Sequence, residues 1–434
     1  MGPGEPLVLD VERSFLATEL ALEAFWSGLH RAPRATLVAL LRHAGQPAAL
    51  RRALTRIAPP RVDLLPVRPE AAARARAARA AGCEVVLVSD ADPALLAALA
   101  AHHGLSCPFW PAQGRGGRCG DAPKVPARPA AREGRPRWSR RALLHALRPH
   151  QWVKNLLLLL PVLAAHAFST PILLLALAGI VAFSAAASSI YIVNDLLDLE
   201  ADRLHPVKRN RPFAAGAVPI GTGMAASLGL AFVAFALGAA LGPAFLGVLG
   251  LYMVLSLAYS LRLKRMRWVD VATLAALYTL RVVAGAAATG VGASVLMLVF
   301  VFPVFLALGC VKRMTELALA EDGRRLPGRG YGRADRDDLL NMAGLGVVAA
   351  LLVFFGYSFT DQARALYPSR WMLWVALLPL AAWLVRMVVL GYRGAQDYDP
   401  ILFAVRDRVG LGLIFLALCC MFHGAGLWQR GLGV

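Results

Sequence analysis

The sequence predicts an all-α polytopic membrane protein of about nine transmembrane helices, with a small α/β unit at its N-terminus. Three observations carry that prediction. Apolar residues make up 58% of the 434-residue chain and charged residues only 17%, below the roughly 25% of ordinary soluble domains. Long uncharged apolar runs recur from Leu156 to the C-terminus, more than a soluble core requires. Before residue 108 the pattern changes to short apolar strands alternating with helical stretches.

Residues 1–108 form the predicted α/β unit. Pro6-Leu7-Val8-Leu9-Asp10 and Glu84-Val85-Val86-Leu87-Val88-Ser89 read as buried strands, separated by helical stretches from Ala17 to Leu54 and from Glu70 to Ala81. Pro93–His103 is the helix after the second strand. Strand–helix alternation predicts a parallel sheet. Residues 109–141 turn to Pro, Gly, Arg and Ala without periodicity, the composition of a basic linker, and its arginines suit anionic headgroups.

Residues 142–434 are the predicted transmembrane domain. Spans are expected near 152–168, 172–194, 223–241, 243–260, 268–288, 293–312, 339–359, 372–391 and 409–427. The first is short, and the segment Arg148–Asn155 before it is expected to lie in the interface. Loops after the second, fourth, sixth and eighth spans collect Lys and Arg, from Arg203–Arg211 to Arg393–Arg408; those after the first, third and fifth have none. The positive-inside rule then places the N-terminus and the even loops in the cytoplasm of a bacterial-type inner membrane, and the C-terminus outside.

The net charge of +19 is explained by those loops and the linker, so no nucleic-acid partner is expected. Six cysteines show no disulfide framework; Cys107 and Cys119, with His102 and His103 nearby, match no common zinc spacing. The first forty residues lack a basic segment followed by an apolar core, so no cleaved signal peptide is expected.

The strongest chemical signal is Asn194-Asp195-Leu196-Leu197-Asp198-Leu199-Glu200-Ala201-Asp202. A helix continued past Val193 would carry Asp195, Asp198 and Asp202 on one face at i, i+3 and i+7. Three like charges on one stripe repel, and a hard divalent cation accounts for them. Magnesium takes few carboxylates and completes its octahedron with water and substrate phosphate. Asn194, Asp195, Asp198 and Asp202 are the candidate metal ligands and catalytic group. Lys208, Arg209 and Arg211 follow at once, suited to the anion such a metal bridges. Tyr259, Lys264 and Asp270 repeat the aromatic–basic–acidic theme in the next cytoplasmic loop. Arg281 lies inside the fifth span, and Lys312, Arg313 and Glu316 close the sixth. Ionisable groups in spans are functional candidates.

The pattern Asn-Asp-x-x-Asp-x-x-x-Asp after the second span resembles the UbiA superfamily of intramembrane prenyltransferases, over roughly Arg148 to Leu427. Arg148-Pro149-His150-Gln151-Trp152-Val153-Lys154-Asn155, His205–Pro212 and Val311–Leu317 resemble its decaprenyl-phosphate phosphoribosyltransferase branch. The second acidic motif of the prenyl-diphosphate enzymes is missing: the loop after the sixth span is Arg/Gly-rich, with scattered Asp335, Asp337 and Asp338. The resemblance therefore implies a magnesium-dependent transfer of a phosphoribosyl group from phosphoribosyl diphosphate to a polyprenyl phosphate, with Lys154 and Lys264 gripping the lipid phosphate and Asn155 among the substrate-binding residues. The rival enzyme reading moves a prenyl chain from its diphosphate to an aromatic or lipid acceptor. An ion or anion transporter is the reading from another class, disfavoured because the acids cluster at one helix end rather than at the bilayer midplane. Membrane lipids are expected partners, and homo-oligomerisation is left open.

The N-terminal unit resembles a haloacid dehalogenase-like domain. Asp10 stands at the family's nucleophile position and Glu12 at its acid/base aspartate, Arg13-Ser14 replaces Gly-Thr, and Ser89 fits the second motif. An acidic pair matching the fourth motif does not follow before the linker, so a truncated, degenerate domain is implied.

Overall fold

The computed structural model describes residues 7–89, 91–105, 138–319, 329–396 and 399–427. Cys107, Cys119 and most of the basic linker lie outside these. Contacts divide the chain into two compact units, Met1–Pro149 with Ser188–Leu230 and His150–Ala187 with Ala231–Val434.

In the first unit, β1 (Leu7–Asp10) and β2 (Val85–Val88) pair in parallel, Leu7 opposite Val85 and Asp10 opposite Val88. Between them run α1 (Leu20–Arg31), α2 (Pro33–Arg42), α3 (Pro47–Ile57) and α4 (Pro69–Ala80). The helical stretches expected from Ala17 to Leu54 are three of these helices, α1 to α3, the last continuing to Ile57. Pro33 and Pro47 each start a new helix, because proline lacks the amide an uninterrupted helix needs. α5 (Pro93–His103) shows how local sequence sets its ends: Asp92 accepts from Ala94 N, Pro93 occupies the first turn, and Gly104 closes it at φ 62°. Leu9, Val11, Leu87 and Leu99 form a continuous core with their neighbours. Asp10 Oδ1 accepts from Glu12 N and Arg13 N at 3.0 and 2.9 Å, and Glu12 Oε1 accepts from Leu20 N at 3.1 Å. Both carboxylates thus cap backbone. Burial pushes the Glu12 carboxyl up, with Arg51 and the Leu20 amide opposing.

The remaining elements are α6 (Arg140–Leu147), a 3₁₀ stretch (Pro149–Leu159), α7 (Leu160–Ala164), α8 (Thr170–Leu197), α9 (Leu199–Leu204), α10 (Ile220–Leu241), α11 (Pro243–Leu261), α12 (Val269–Thr289), α13 (Val295–Ala318), α14 (Arg336–Tyr357), α15 (Asp361–Leu366), α16 (Trp371–Tyr392), α17 (Pro400–Arg406) and α18 (Arg408–Gly424). Seven helices among the described residues are long and apolar enough to cross a membrane: α8, α10, α11, α12, α13, α14 with its preceding 3₁₀ turn, and α16.

Two of the expected nine spans differ. The first resolves into the 3₁₀ stretch and the five-residue α7. Pro161 falls at its head and His166 adopts φ 53°, which ends it. The ninth, α18, is apolar but only 17 residues long. Large apolar side chains such as Phe232, Leu378 and Phe415 face outward along the spans, as hydrocarbon solvent permits. Inside the second unit, small residues let backbones approach. A Cβ on Gly285 of α12 would lie 2.0 Å from Leu158 O, and one on Gly346 of α14 would lie 2.9 Å from Pro303 O.

Candidate functional site

α8 delivers the acidic segment. Its last turns carry Asn194 and Asp195, and the helix stops at Leu197. Asp198 sits at φ −101°, ψ 14°, outside helical geometry, and α9 resumes at Leu199. The expectation of three carboxylates along one uninterrupted stripe is therefore corrected by a one-residue break. Helical hydrogen bonds cross it, Asp198 N to Asn194 O at 3.0 Å and Asp202 N to Asp198 O at 2.8 Å.

Asp195 and Asp202, on either side of the break, share one guanidinium. Arg211 Nη1 donates to Asp195 Oδ1 at 3.1 Å and to Asp202 Oδ2 at 2.7 Å. Arg148, at φ 53° where α6 ends, gives Asp195 a second ion pair and stacks on Tyr191. Asp195 and Asp202 are almost fully buried, whereas Lys208 and Arg209 are exposed. Burial pushes the Asp202 carboxyl up to about 6, with Arg211 opposing and Asp195 adding to the rise. Burial, then Lys208 and Arg211, hold His205 below its usual value.

Neighbouring charges fix this corner. Glu23 of α1 pairs with Arg203 of α9, both buried, and Arg203 Nε also donates to Ala214 O at 3.0 Å. Arg31 and Ser27 hold Glu200. These partners explain the residues of the acidic run and the basic loop that face away from the Arg211 cluster.

A cation's fit can be judged from these groups. Among the described residues no three or more His, Cys, Asp or Glu side chains are gathered closely enough to hold a metal. Arginines occupy the two buried carboxylates instead. Yet Asn194 Oδ1 is buried with no hydrogen-bond partner, half-buried Asp198 follows four residues on and donates its amide to Asn194 O, and a single nitrogen spans Asp195 and Asp202. An oxygen-only donor set with an orphaned carbonyl suits magnesium, provided Arg211 yields its place.

The second unit holds the remaining predicted residues, all but Lys264 in three internal networks. In one, Tyr259 Oη donates to Asp270 Oδ1 at 2.8 Å and accepts from Arg313 Nη2 at 2.9 Å and Arg329 Nη1 at 2.8 Å. Arg313 grips Asp270 through Nε and Nη2 and turns Nη1 to Glu316. Asp270 is thus the centre of an arginine-rich cluster. In another, Lys154 pairs with Asp399, and Lys312 is half-buried within electrostatic reach of both. Burial alone would raise the Asp399 carboxyl, but Lys154 and Lys312 outweigh it and hold it at about 2.

In the third, Arg281 and Asn155 brace the interior. Arg281 Nε donates to Asn155 Oδ1 at 3.0 Å, Nη1 to Leu277 O at 2.7 Å and Nη2 to Tyr252 Oη at 3.0 Å; Asn155 Nδ2 donates to Ser184 Oγ at 2.9 Å. Lys264 lies half-buried in the turn after α11. Arg148, Arg329 and Asp399 are polar-network residues that the sequence reading did not place among the candidates. Asp399 could have been noticed as a carboxylate directly before Pro400, a helix-start signal in an apolar neighbourhood.

The fold and these networks define a polytopic, mostly helical membrane protein with a carboxylate–arginine cluster at the end of a spanning helix. Residues 156–406 match the UbiA prenyltransferase family, and the chain belongs to that family as a membrane transferase. An uncharacterized protein of Sinorhizobium fredii is 29% identical over 93% of this chain and 88% of its own. Decaprenyl-phosphate phosphoribosyltransferase of Mycobacterium tuberculosis is 33% identical over 63% of this chain and 91% of its own. A UbiA homolog from Archaeoglobus fulgidus, solved bound to GPP and Mg2+, is 14% identical, with a TM-score of 0.49 over 64% of this chain and 99% of that one.

Proposed function

We propose that this chain transfers a phosphoribosyl group from phosphoribosyl diphosphate to a polyprenyl phosphate, with magnesium held by Asn194, Asp195, Asp198 and Asp202. The observation that carries the reading is the convergence of Asp195 and Asp202 on Arg211 beside the orphaned Asn194 Oδ1. Similarity to a decaprenyl-phosphate phosphoribosyltransferase over nearly all of that relative's length supports the choice of donor and acceptor. So does the engagement of Asp270 with arginines, which leaves the region after α11 poor in available carboxylate.

Magnesium, when bound, neutralises the donor diphosphate and stabilises it as a leaving group. Arg211 has two roles in sequence. It balances the buried carboxylates before loading, then turns to the diphosphate as negative charge grows on it. Lys208 and Arg209, exposed beside it, draw the soluble donor in from the aqueous side. The bond from the ribose anomeric carbon to the diphosphate oxygen breaks, and one from that carbon to a lipid phosphate oxygen forms. A phosphate oxygen needs no dedicated base. In this reading the N-terminus and the basic loops face the cytoplasm, where soluble diphosphates are found. In the same reading the N-terminal unit is a degenerate haloacid dehalogenase-like domain with a regulatory or structural role.

The test is turnover in reconstituted membranes, read by mass spectrometry of the lipid, with two donor–acceptor pairs. Phosphoribosyl diphosphate plus polyprenyl phosphate should give a ribosylated lipid phosphate, and Asp198→Asn should lower that rate by about a hundredfold or more. Consumption of a prenyl diphosphate with an aromatic or lipid acceptor, and no ribosylated product, would overturn the donor assignment.

A further inference from the structure

α2 of the N-terminal unit is inside out for a helix bathed in water. Its small and polar residues Thr36 and Ala39 are buried, at 0% and 6% exposure, while Leu41 is 80% exposed and Leu37 and Val38 about half exposed. Thr36 is turned inward against Gly28 of α1; a Cβ there would lie 2.5 Å from Thr36 Oγ1, so the two helices meet at minimum separation. Leu37 and Leu41 are one turn apart and Val38 adjoins them, so the three make one outward apolar stripe. Arg34 and Arg42, both exposed, flank it.

Two further observations identify what covers this stripe. The first is charge: between Glu23 and Asp63 the sequence has seven arginines and no aspartate or glutamate. The second is position. The opposite side of α1, through Leu22, Phe25, Trp26 and Leu29, packs with Ile192 and Leu196 of α8 and Ile220 and Met224 of α10. α1 therefore lies against the ends of two helices long and apolar enough to cross a membrane, and α2 is its immediate neighbour. α6 repeats the motif at smaller scale, with exposed Leu144 beside exposed Arg140 and Arg141.

We propose that α2 is an interfacial helix that seats Leu37, Val38 and Leu41 in an anionic bilayer surface, with Arg34 and Arg42 on lipid phosphates. Apolar burial and basic residues together are what fasten such helices, and each basic residue near an anionic leaflet strengthens the attachment appreciably. The contact would tie the soluble part of the unit to the membrane it already enters, without any protein partner. It does not depend on which transfer reaction the chain performs.

The full-length protein in nanodiscs tests this by hydrogen–deuterium exchange, with the buried amides of α1 as internal reference. In discs containing phosphatidylglycerol, the α2 amides should exchange at least about fivefold more slowly than in phosphatidylcholine discs or detergent. Leu37→Ser with Leu41→Ser should abolish the difference while leaving α1 unchanged. Equal exchange of α2 in all three environments would overturn the proposal. So would protection that follows protein concentration rather than lipid charge, which would assign the stripe to a second copy of the chain.

Discussion

Arg313 grips Asp270 at two points, Nε to Oδ2 at 2.5 Å and Nη2 to Oδ1 at 3.0 Å, and neither side chain reaches solvent. The pair ties the first turn of α12 to the last turns of α13. A buried, two-point ion pair is worth little relative to apolar packing, but removing one partner strands the other charge. Asp270→Ala should therefore cost about 3–5 kcal/mol. It should appear as a large fall in the detergent-solubilised melting temperature. Arg313→Lys should also destabilise, because a single ammonium cannot reproduce the fork. An unchanged melting temperature for Asp270→Ala would show that the cluster does not hold the fold.

Lys154 and Asp399 join parts of the chain 245 residues apart, and their pairing sets a pH dependence. The Asp399 carboxyl lies at about 2 rather than near 3.8. A depressed carboxylate contributes stability that is present above the unfolded value and is lost as pH falls through the folded one. The window is therefore pH 4 down to 2, with about 2 kcal/mol at stake, since one pKa unit corresponds to about 1.4 kcal/mol. Asp399→Asn should remove that slope and lower stability at pH 7 by a similar amount. Melting curves of both proteins across pH 2–7 give the comparison; parallel curves would refute the linkage.

These two pairs also mark where the sequence was legible and where it was not. Spans, strands and the acidic segment are local patterns, and α5 with its Asp92 cap, first-turn Pro93 and closing Gly104 could be read residue by residue. The partners of charged groups are not local. Lys154 was read as a grip for lipid phosphate, but nothing within its own segment announces Asp399. The break at Asp198 escaped for a related reason. Helical periodicity extrapolates smoothly past Val193, whereas the partner that Asp195 and Asp202 share, Arg211, lies nine residues beyond Asp202. Arg281 stood out in the sequence as a cation within a span; its donors go to Asn155, Tyr252 and a carbonyl, which periodicity cannot foresee.

Gly285 tests the close packing of the second unit. Its α-carbon faces the Leu158 carbonyl so closely that any side chain must displace backbone rather than a flexible tip. Gly285→Ala should destabilise by about 1–3 kcal/mol, the usual range for overpacking. Gly247→Ala is the matched control, since a Cβ there meets nothing within 4 Å. Helix propensity alone should make that change neutral or stabilising by up to about 1 kcal/mol. Equal melting temperatures for the two variants would mean that the Leu158 segment gives way easily.

Under the proposed function, Asp202 makes magnesium binding itself pH-dependent, its carboxyl being shifted in the direction opposite to that of Asp399. Burial raises its carboxyl to about 6, so between the ordinary value of 3.8 and about 6 the folded protein holds a proton that the unfolded chain has released. Ionising Asp202 in place then costs folding free energy, and a divalent cation at Asp195 and Asp202 would recover that cost. Below about pH 6 the cation must first displace the proton; above it the site is already charged. The rise in melting temperature on adding magnesium should accordingly be small at pH 5 and grow to its full size by pH 7.5, and Asp202→Asn should flatten that growth. Differential scanning fluorimetry at fixed ionic strength, with a monovalent salt control, reads the effect without requiring turnover. A magnesium shift of equal size at both pH values, or one retained in full by Asp202→Asn, would remove Asp202 from the metal site.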